Sequence, residues 1–347
     1  MNKTNASDMP FDERVNERAD IRDLKYPLIK EFLSNTESVL LNDIDIYDKS
    51  ELAGKMKIAD GPSEYFKPLN VGLLFFNDDP EQFFPYSRIE VVNIPDPTGQ
   101  GMEEHIFRGP IDEQLSSALR YIKNNVIAER VFKVSGQAEA VRVKNYSYEA
   151  IEEFLSNAVY HKSYQIHEPV TVRIESDRIE ITSLPGPDRS ISDEDIANYQ
   201  MRTRKYRNRR IGDFLKELHL VEGRNTGIPT AIRAISLNGS PMPKLLTDED
   251  RSYFSVIIPI HELFLTDRTV EPILRNRKKS RSQIKAEIMY ELDRQDLSAH
   301  ELYGRLGYKG NPSRTFNTCI AEMLEDDQIR YSGESPNDPT NVLKKTH

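Results

Sequence analysis

The chain has 347 residues, of which 37% are hydrophobic and 30% charged, with a net charge of −9. That is ample for buried cores but excludes a protein coated with nucleic acid over its whole surface. No run approaches the roughly 20 apolar residues of a membrane-spanning helix, and the start MNKTNASDMPFDERVNERAD offers no apolar secretory segment, so a cytoplasmic protein with no membrane partner is expected. Cys319 is the sole cysteine, which rules out an internal disulfide and any multi-cysteine metal site.

In chain order, residues 11 to about 60 read as charged and mostly helical, with Pro27 in a first turn and Ile29, Phe32 and Leu33 on one face. VGLLFFND (71–78) is a short apolar run between Pro68 and an Asn/Asp/Pro cluster, the pattern of a buried strand. SRIEVVNI (87–94) predicts another strand, and Leu115, Leu119, Ile122 and Val126 predict a helix over 111–127. Together they suggest an α/β connector over 1–145. From Tyr146 the order becomes helix, hairpin, helix, helix, strand. VTVRIESDRIEITS (170–183) alternates on both sides of a short turn, Ile211 to Leu220 is amphipathic, EGRNTGIP leads into a helix at 229–237, and SYFSVIIPI (252–260) predicts a strand. A basic stretch, RNRKKSR (275–281), marks a linker.

Beyond it, 281–347 has the order of a winged helix. Ile284, Ile288 and Leu292 mark a first helix, Ser298 caps a second, Asn311 or Ser313 opens a third, and two short strands flank a Pro-containing wing. From Arg268 onward 14 Lys and Arg stand against 12 Asp and Glu, so a slightly basic end follows an acidic body. The expected class is α+β: the connector, an α/β sandwich over 146–265, and a winged helix-turn-helix over 266–347.

EEFLSNAVYHKSY (152–164) sets Glu153 and Asn157 four residues apart, stacked along one edge of a helix that buries Phe154, Leu155, Ala158 and Val159. With SLPGPDR, with IGDFLKELHLVEG and with NTGIP, this stretch resembles a divergent GHKL-type ATPase domain. More closely, the chain from about Met9 resembles the C-terminal part of bacterial RecG-related transcriptional regulators. These join a Schlafen-type AlbA domain, for which this sequence has no match, to such a module and a winged helix. The resemblance implies ATP and Mg²⁺ as cofactors, DNA as a partner and a homo-oligomer.

An octahedral Mg²⁺ takes few protein oxygens beside phosphates and waters, and Asn157 could supply one; Glu153, a turn earlier, could orient or deprotonate water. A surface polar pair is the plainer alternative. Asn225, Thr226, Gly227 and Ile228 would bring backbone N–H groups to phosphate at a helix start. The basic run holding Arg204, Lys205, Arg207, Arg209 and Arg210 would face phosphates, as would His161 and Lys162, although His161 reads equally well as a cation at a helix C-terminus. Gly186 lies in the Pro-Gly turn after the hairpin. No Asp stands there to read an adenine amino group, Leu184 replaces the family's usual asparagine, and Asn225 occupies a usual glycine position. Ser313, Arg314, Thr315 and Asn317 would face a DNA groove, with Arg330 and Lys344 on phosphates. No G-x-x-x-x-G-K-[ST] is present, which excludes a P-loop helicase. Three functions follow: a nucleotide-switched DNA-binding transcriptional regulator, an interaction scaffold with a decayed pocket, or a slow Mg²⁺-dependent ATPase in a defence system, with Glu153 catalytic.

Overall fold

A computed structural model describes residues 9–133, 140–201, 206–220, 227–265, 281–292, 295–306, 308, 312–333 and 341–346. Helices α1 (Tyr26–Asn35) and α2 (Lys49–Lys55) come first, followed by a small ladder of β1 (Ala59–Asp60) and β2 (Lys67–Pro68) and by helix α3 (Asn70–Phe76). The 71–78 run expected as a strand is therefore a helix. All seven of its residues are buried, so it shows no polar face to distinguish a helix from an interior strand.

Strands β3 (Ile89–Ile94) and β4 (Glu103–Phe107) precede helix α4 (Ile111–Asn125) and the hairpin of β5 (Glu129–Lys133) and β6 (Ala140–Lys144). Helix α5 (Tyr148–His161) starts at Ser147, whose hydroxyl accepts from the Ala150 N–H. Then come β7 (Val170–Glu175), β8 (Arg178–Ser183), α6 (Asp193–Ala197), α7 (Arg209–Glu217), α8 (Gly227–Leu237), β9 (Lys244–Leu246) and β10 (Phe254–Pro259).

Six strands form one mixed sheet in the order β4-β3-β7-β8-β10-β9, in which β3 and β7 run parallel and every other pair is antiparallel. Register puts the apolar side chains on one face: Val91 lies opposite Val172, Val172 opposite Ile181, and Ile181 opposite Val256, all buried. Each such burial stabilises by about 1.5–3 kcal/mol. The opposite face carries Thr171, Arg173, Glu180 and Thr182, the alternation of a sheet covered on one side. Helix α4 covers β3 and β4, α5 covers β8, and α8 lies against α5.

The boundary expected at 145 does not separate two folding units. β3 and β4 lie before it, yet they belong to the same sheet as β7 and β8, and one apolar core runs from Ala19 to Ile258. The connector completes the sheet. It also reaches beneath α7, where the fully buried Asp12 carboxylate accepts from the Ile211 N–H at 3.0 Å.

A second apolar core belongs to α9 (Arg281–Leu292), α10 (Ala299–Arg305), α11 (Arg314–Glu325) and the antiparallel pair β11 (Ile329–Tyr331) and β12 (Leu343–Lys345). Ile288, Leu302, Phe316 and Met323 are at its centre and Cys319 is buried there as a free thiol. A bridge from Leu297 to Leu343 sets the two strands against the start of α10.

Candidate functional site

Glu153 and Asn157 project from α5 with the geometry their spacing predicts, and Asn157 Nδ2 donates to Glu153 Oε1 at 2.6 Å. That bond occupies the amide nitrogen side and turns the carbonyl oxygen of Asn157 elsewhere. Gly227, the first residue of α8, sits directly on the carboxylate: a Cβ added there would lie 1.6 Å from Glu153 Oε1. The glycine is required by this close approach of backbone to side chain.

A cavity of about 610 Å³ opens above the pair. The sheet contributes Ile181, Ser183, Phe254 and Val256, α5 contributes Glu153, Asn157 and His161, and the turn after β8 contributes Pro185 and Gly186. Arg209, Gly212, Asp213 and Lys216 of α7 form one side, with Gly227 and Ile228 of α8 beside them. Gly186 is held by its N–H, which donates to the Arg251 carbonyl at 2.8 Å, and a Cβ there would meet Thr247 Oγ1 and the Tyr253 carbonyl at 2.7 Å. The charged lining residues are Arg209, Lys216, Lys285 and Lys345 against Glu153 and Asp213, an excess of cations suited to an anionic ligand.

His161 is uncharged near neutral pH, because burial and then the adjacent Arg207 guanidinium push it down to about 4. It is therefore not a cation capping a helix C-terminus. Its ring lies 4.3 Å from that of Tyr160, which in turn stacks on Tyr206 at 5.9 Å and 10°. The Tyr160 ring packs closely on α7, where a Cβ at Gly212 would come within 2.4 Å of it.

Three residues expected on phosphate are committed elsewhere. Lys162 is 2% exposed and directs its ammonium away from the cavity, donating to the carbonyls of Glu168 at 2.7 Å and Tyr86 at 3.1 Å; burial pushes it down to about 8. Arg207 donates to the His161 carbonyl and, at 3.4 Å, to the Gly186 carbonyl, so it ties α5 to the turn after β8. Arg210 donates to the Met56 carbonyl at 3.2 Å and pairs with Asp213 at 3.5 Å. Of the described members of the basic run, only Arg209 reaches the cavity. Asn225, Thr226, Arg204 and Lys205 lie outside the described residues.

Sequence reading missed Asn208, which is fully buried and donates to the carbonyls of Tyr160 at 2.9 Å and Lys162 at 2.7 Å, fastening α7 to the end of α5. It also missed Lys285, Met289, Tyr290, Gln328 and Lys345, which line the same cavity from the C-terminal unit. Contributions from so far along the chain leave no local signal.

Arg314, Thr315 and Asn317 are exposed at the start of α11, and Ser313 is its N-cap, accepting from the Phe316 N–H at 3.2 Å. Arg330 is exposed on β11. Lys344, expected on phosphate, forms an ion pair with Asp296 at 2.8 Å, while Lys345 faces the cavity. Asn311 lies outside the described residues. Among the described residues no helix is long and apolar enough to cross a membrane, and no group of three or more His, Cys, Asp or Glu could hold a metal.

The mixed sheet, its helical layer and the cleft over an acid–amide pair define an α+β protein. Residues 167–258 match the family model described as the C-terminal region of the putative ATP-dependent DNA helicase RecG, which supports a RecG-related domain here and suggests nucleotide binding. No curated protein matches the chain. Among solved structures, the DIP2311 protein from Corynebacterium diphtheriae is similar with a TM-score of 0.55 at 16% identity, over 97% of this chain and 64% of that one. At that identity the likeness is one of fold, and the chain spans less than two thirds of the length of that protein.

Proposed function

We propose that the cleft binds ATP or a related nucleotide with Mg²⁺, and that the C-terminal helices and strands form a winged helix that binds DNA. The protein would then act as a nucleotide-responsive transcriptional regulator and, by its resemblance to the RecG-related regulators, as a homo-oligomer. Convergence carries this proposal: α5, the turn after β8, α7 and the start of α8 come together around one cavity, with Gly227 against the Glu153–Asn157 pair. The volume of about 610 Å³ lies within the usual range of small-ligand pockets, roughly 300–1,000 Å³.

The donor set fits Mg²⁺. Hard oxygens are available from Asn157 and Glu153, and the lack of a fuller protein cage among the described residues suits an ion that takes its other ligands from phosphates and water. When bound, the ion would neutralise phosphate charge. Asn157 would hold it, Glu153 would position water, and Arg209 and Lys216 would face the anionic end of the ligand. The residues that the end of β8 and the turn after it give to the cavity, Ser183, Pro185, Gly186 and Pro187, include no carboxylate. The base would then be contacted by groups other than the Asp usual in the family.

Thermal melting with and without Mg-ATP tests this reading. At 100 times its Kd a ligand adds about 2.7 kcal/mol, readily seen as a higher melting temperature. An unchanged melting curve at millimolar Mg-ATP would favour a scaffold whose pocket has decayed. For DNA, affinity should fall steeply between about 50 and 200 mM salt, and less steeply after Arg330→Ala.

A further inference from the structure

Resting on the nucleotide reading above, we propose that Lys285 is shared between the cleft and α11: an anion bound in the cleft competes with Glu322 for this ammonium, and so couples ligand binding to the seating of the exposed start of α11. The cleft has a wall from each core. Lys285, Ala286, Met289 and Tyr290 of α9, with Gln328 and Lys345 near the two C-terminal strands, line the same cavity as Glu153 and Asn157.

Two ion-pair sets flank α9, and they differ in strength. On the side of α8, Arg233 pairs with Glu291 and stacks at 4.1 Å over the Tyr290 ring, while Ser236 Oγ donates to Glu287 Oε1 at 2.7 Å. Glu287 and Glu291 are only 6% and 4% exposed. Buried carboxylates of this kind are costly to unpair, so α9 is held firmly to α8. Gly227 and Arg233 are six residues apart on α8, or about 9 Å along its axis, which ties the clasp rigidly to the helix start that covers Glu153.

On the side of α11, Lys285 Nζ lies 2.9 Å from Glu322 Oε2 and 3.9 Å from Asp326 Oδ2, and Arg281 lies 2.9 Å from Glu322 Oε1. The Glu322 side chain is 33% exposed, so this set is cheaper to rearrange than the clasp. A multiply charged anion in the cleft offers Lys285 a stronger partner than a half-exposed carboxylate. Losing Lys285 leaves Glu322, among the described residues, with Arg281 as its ion-pair partner and lets α11 reseat on α9, while the apolar contacts of Phe316, Ile320 and Met323 keep the two helices together. Coupling of this kind is reciprocal: contacts that hold Glu322 on Lys285 must weaken the ligand.

The test is a double-mutant cycle on the full chain, with Mg-ATP affinity measured by titration calorimetry. Glu322→Gln is nearly isosteric and leaves Lys285 only the more distant Asp326 carboxylate at 3.9 Å; it should tighten binding by about fivefold or more. Lys285→Gln should weaken binding, and adding Glu322→Gln to it should change nothing further. A merely structural role for Glu322 does not produce tighter binding. Unchanged or weaker binding by Glu322→Gln, or the same gain in the Lys285→Gln background, overturns the sharing of Lys285 while leaving the nucleotide site intact. Absence of Mg-ATP binding by the wild-type chain overturns both.

Discussion

Gly227→Ala separates the site from the fold. The new methyl would lie 1.6 Å from Oε1, 2.2 Å from Cδ and 2.7 Å from Oε2 of Glu153, so the carboxylate has to swing away. That movement breaks the 2.6 Å bond from Asn157, which in this partly exposed setting costs about 1–2 kcal/mol. Gly227 is the first residue of α8, where alanine has little of the advantage it holds inside a helix. The net loss of about 1–2 kcal/mol lowers the melting temperature by only a few degrees. Binding suffers more, because the displaced carboxylate enters the space proposed for phosphate; Mg-ATP affinity should fall at least about tenfold, equivalent to about 1.4 kcal/mol. Gly72→Ala provides the contrast. Its Cβ would lie 2.4 Å from the Ile58 carbonyl oxygen, which belongs to the backbone and cannot rotate aside. Overpacking there should cost about 1–3 kcal/mol with affinity unchanged. Paired calorimetry and melting curves decide the matter, and wild-type affinity in Gly227→Ala would refute the placement of ligand over Glu153.

Lys162→Met should destabilise the protein by about 2–4 kcal/mol, since the carbonyls of Tyr86 and Glu168 lose their charged donor; Mg-ATP affinity should stay within about twofold, and a large loss of affinity without destabilisation would return Lys162 to the cleft. Asp12 predicts a pH dependence with a definite sign. Burial pushes its carboxyl up to about 6 from 3.8, so between those values the folded state holds more proton than the unfolded one and stability falls as pH rises through 6. The displacement of about two pH units corresponds to roughly 3 kcal/mol. His161, pushed down to about 4, acts in the opposite sense and stabilises above 6.5, losing this as pH falls toward 4. Urea melts of Asp12→Asn should show higher stability than wild type at pH 7 and a smaller difference at pH 4; equal stability at both would refute the strained carboxylate.

Periodicity made much of the site legible. Helix α5, the β7–β8 hairpin, α7 and α8 each present one apolar and one more polar face, so their sequences carry their type, and the four-residue step from Glu153 to Asn157 follows from helix geometry alone. α3 was illegible because every one of its residues is buried, leaving a run of strand length with no exposed stripe. The basic run misled for a different reason: charge suggested phosphate, but Arg207 and Asn208 spend their donors on backbone carbonyls at the end of α5 and the turn after β8. Lys285 and Lys345 lie more than a hundred residues from Glu153, and only the packing of α9 against α8 brings them to the cleft.

The bond from Ile211 back to Asp12 spans 199 positions of sequence, and β3 flanks β7 across the supposed boundary at 145. An excised piece beginning near residue 146 would leave the β7 edge bare and the amide at the start of α7 unanswered, and such an edge invites clumping with its own kind. Anyone wishing to transplant the cleft into another protein must carry the first two fifths of the chain with it.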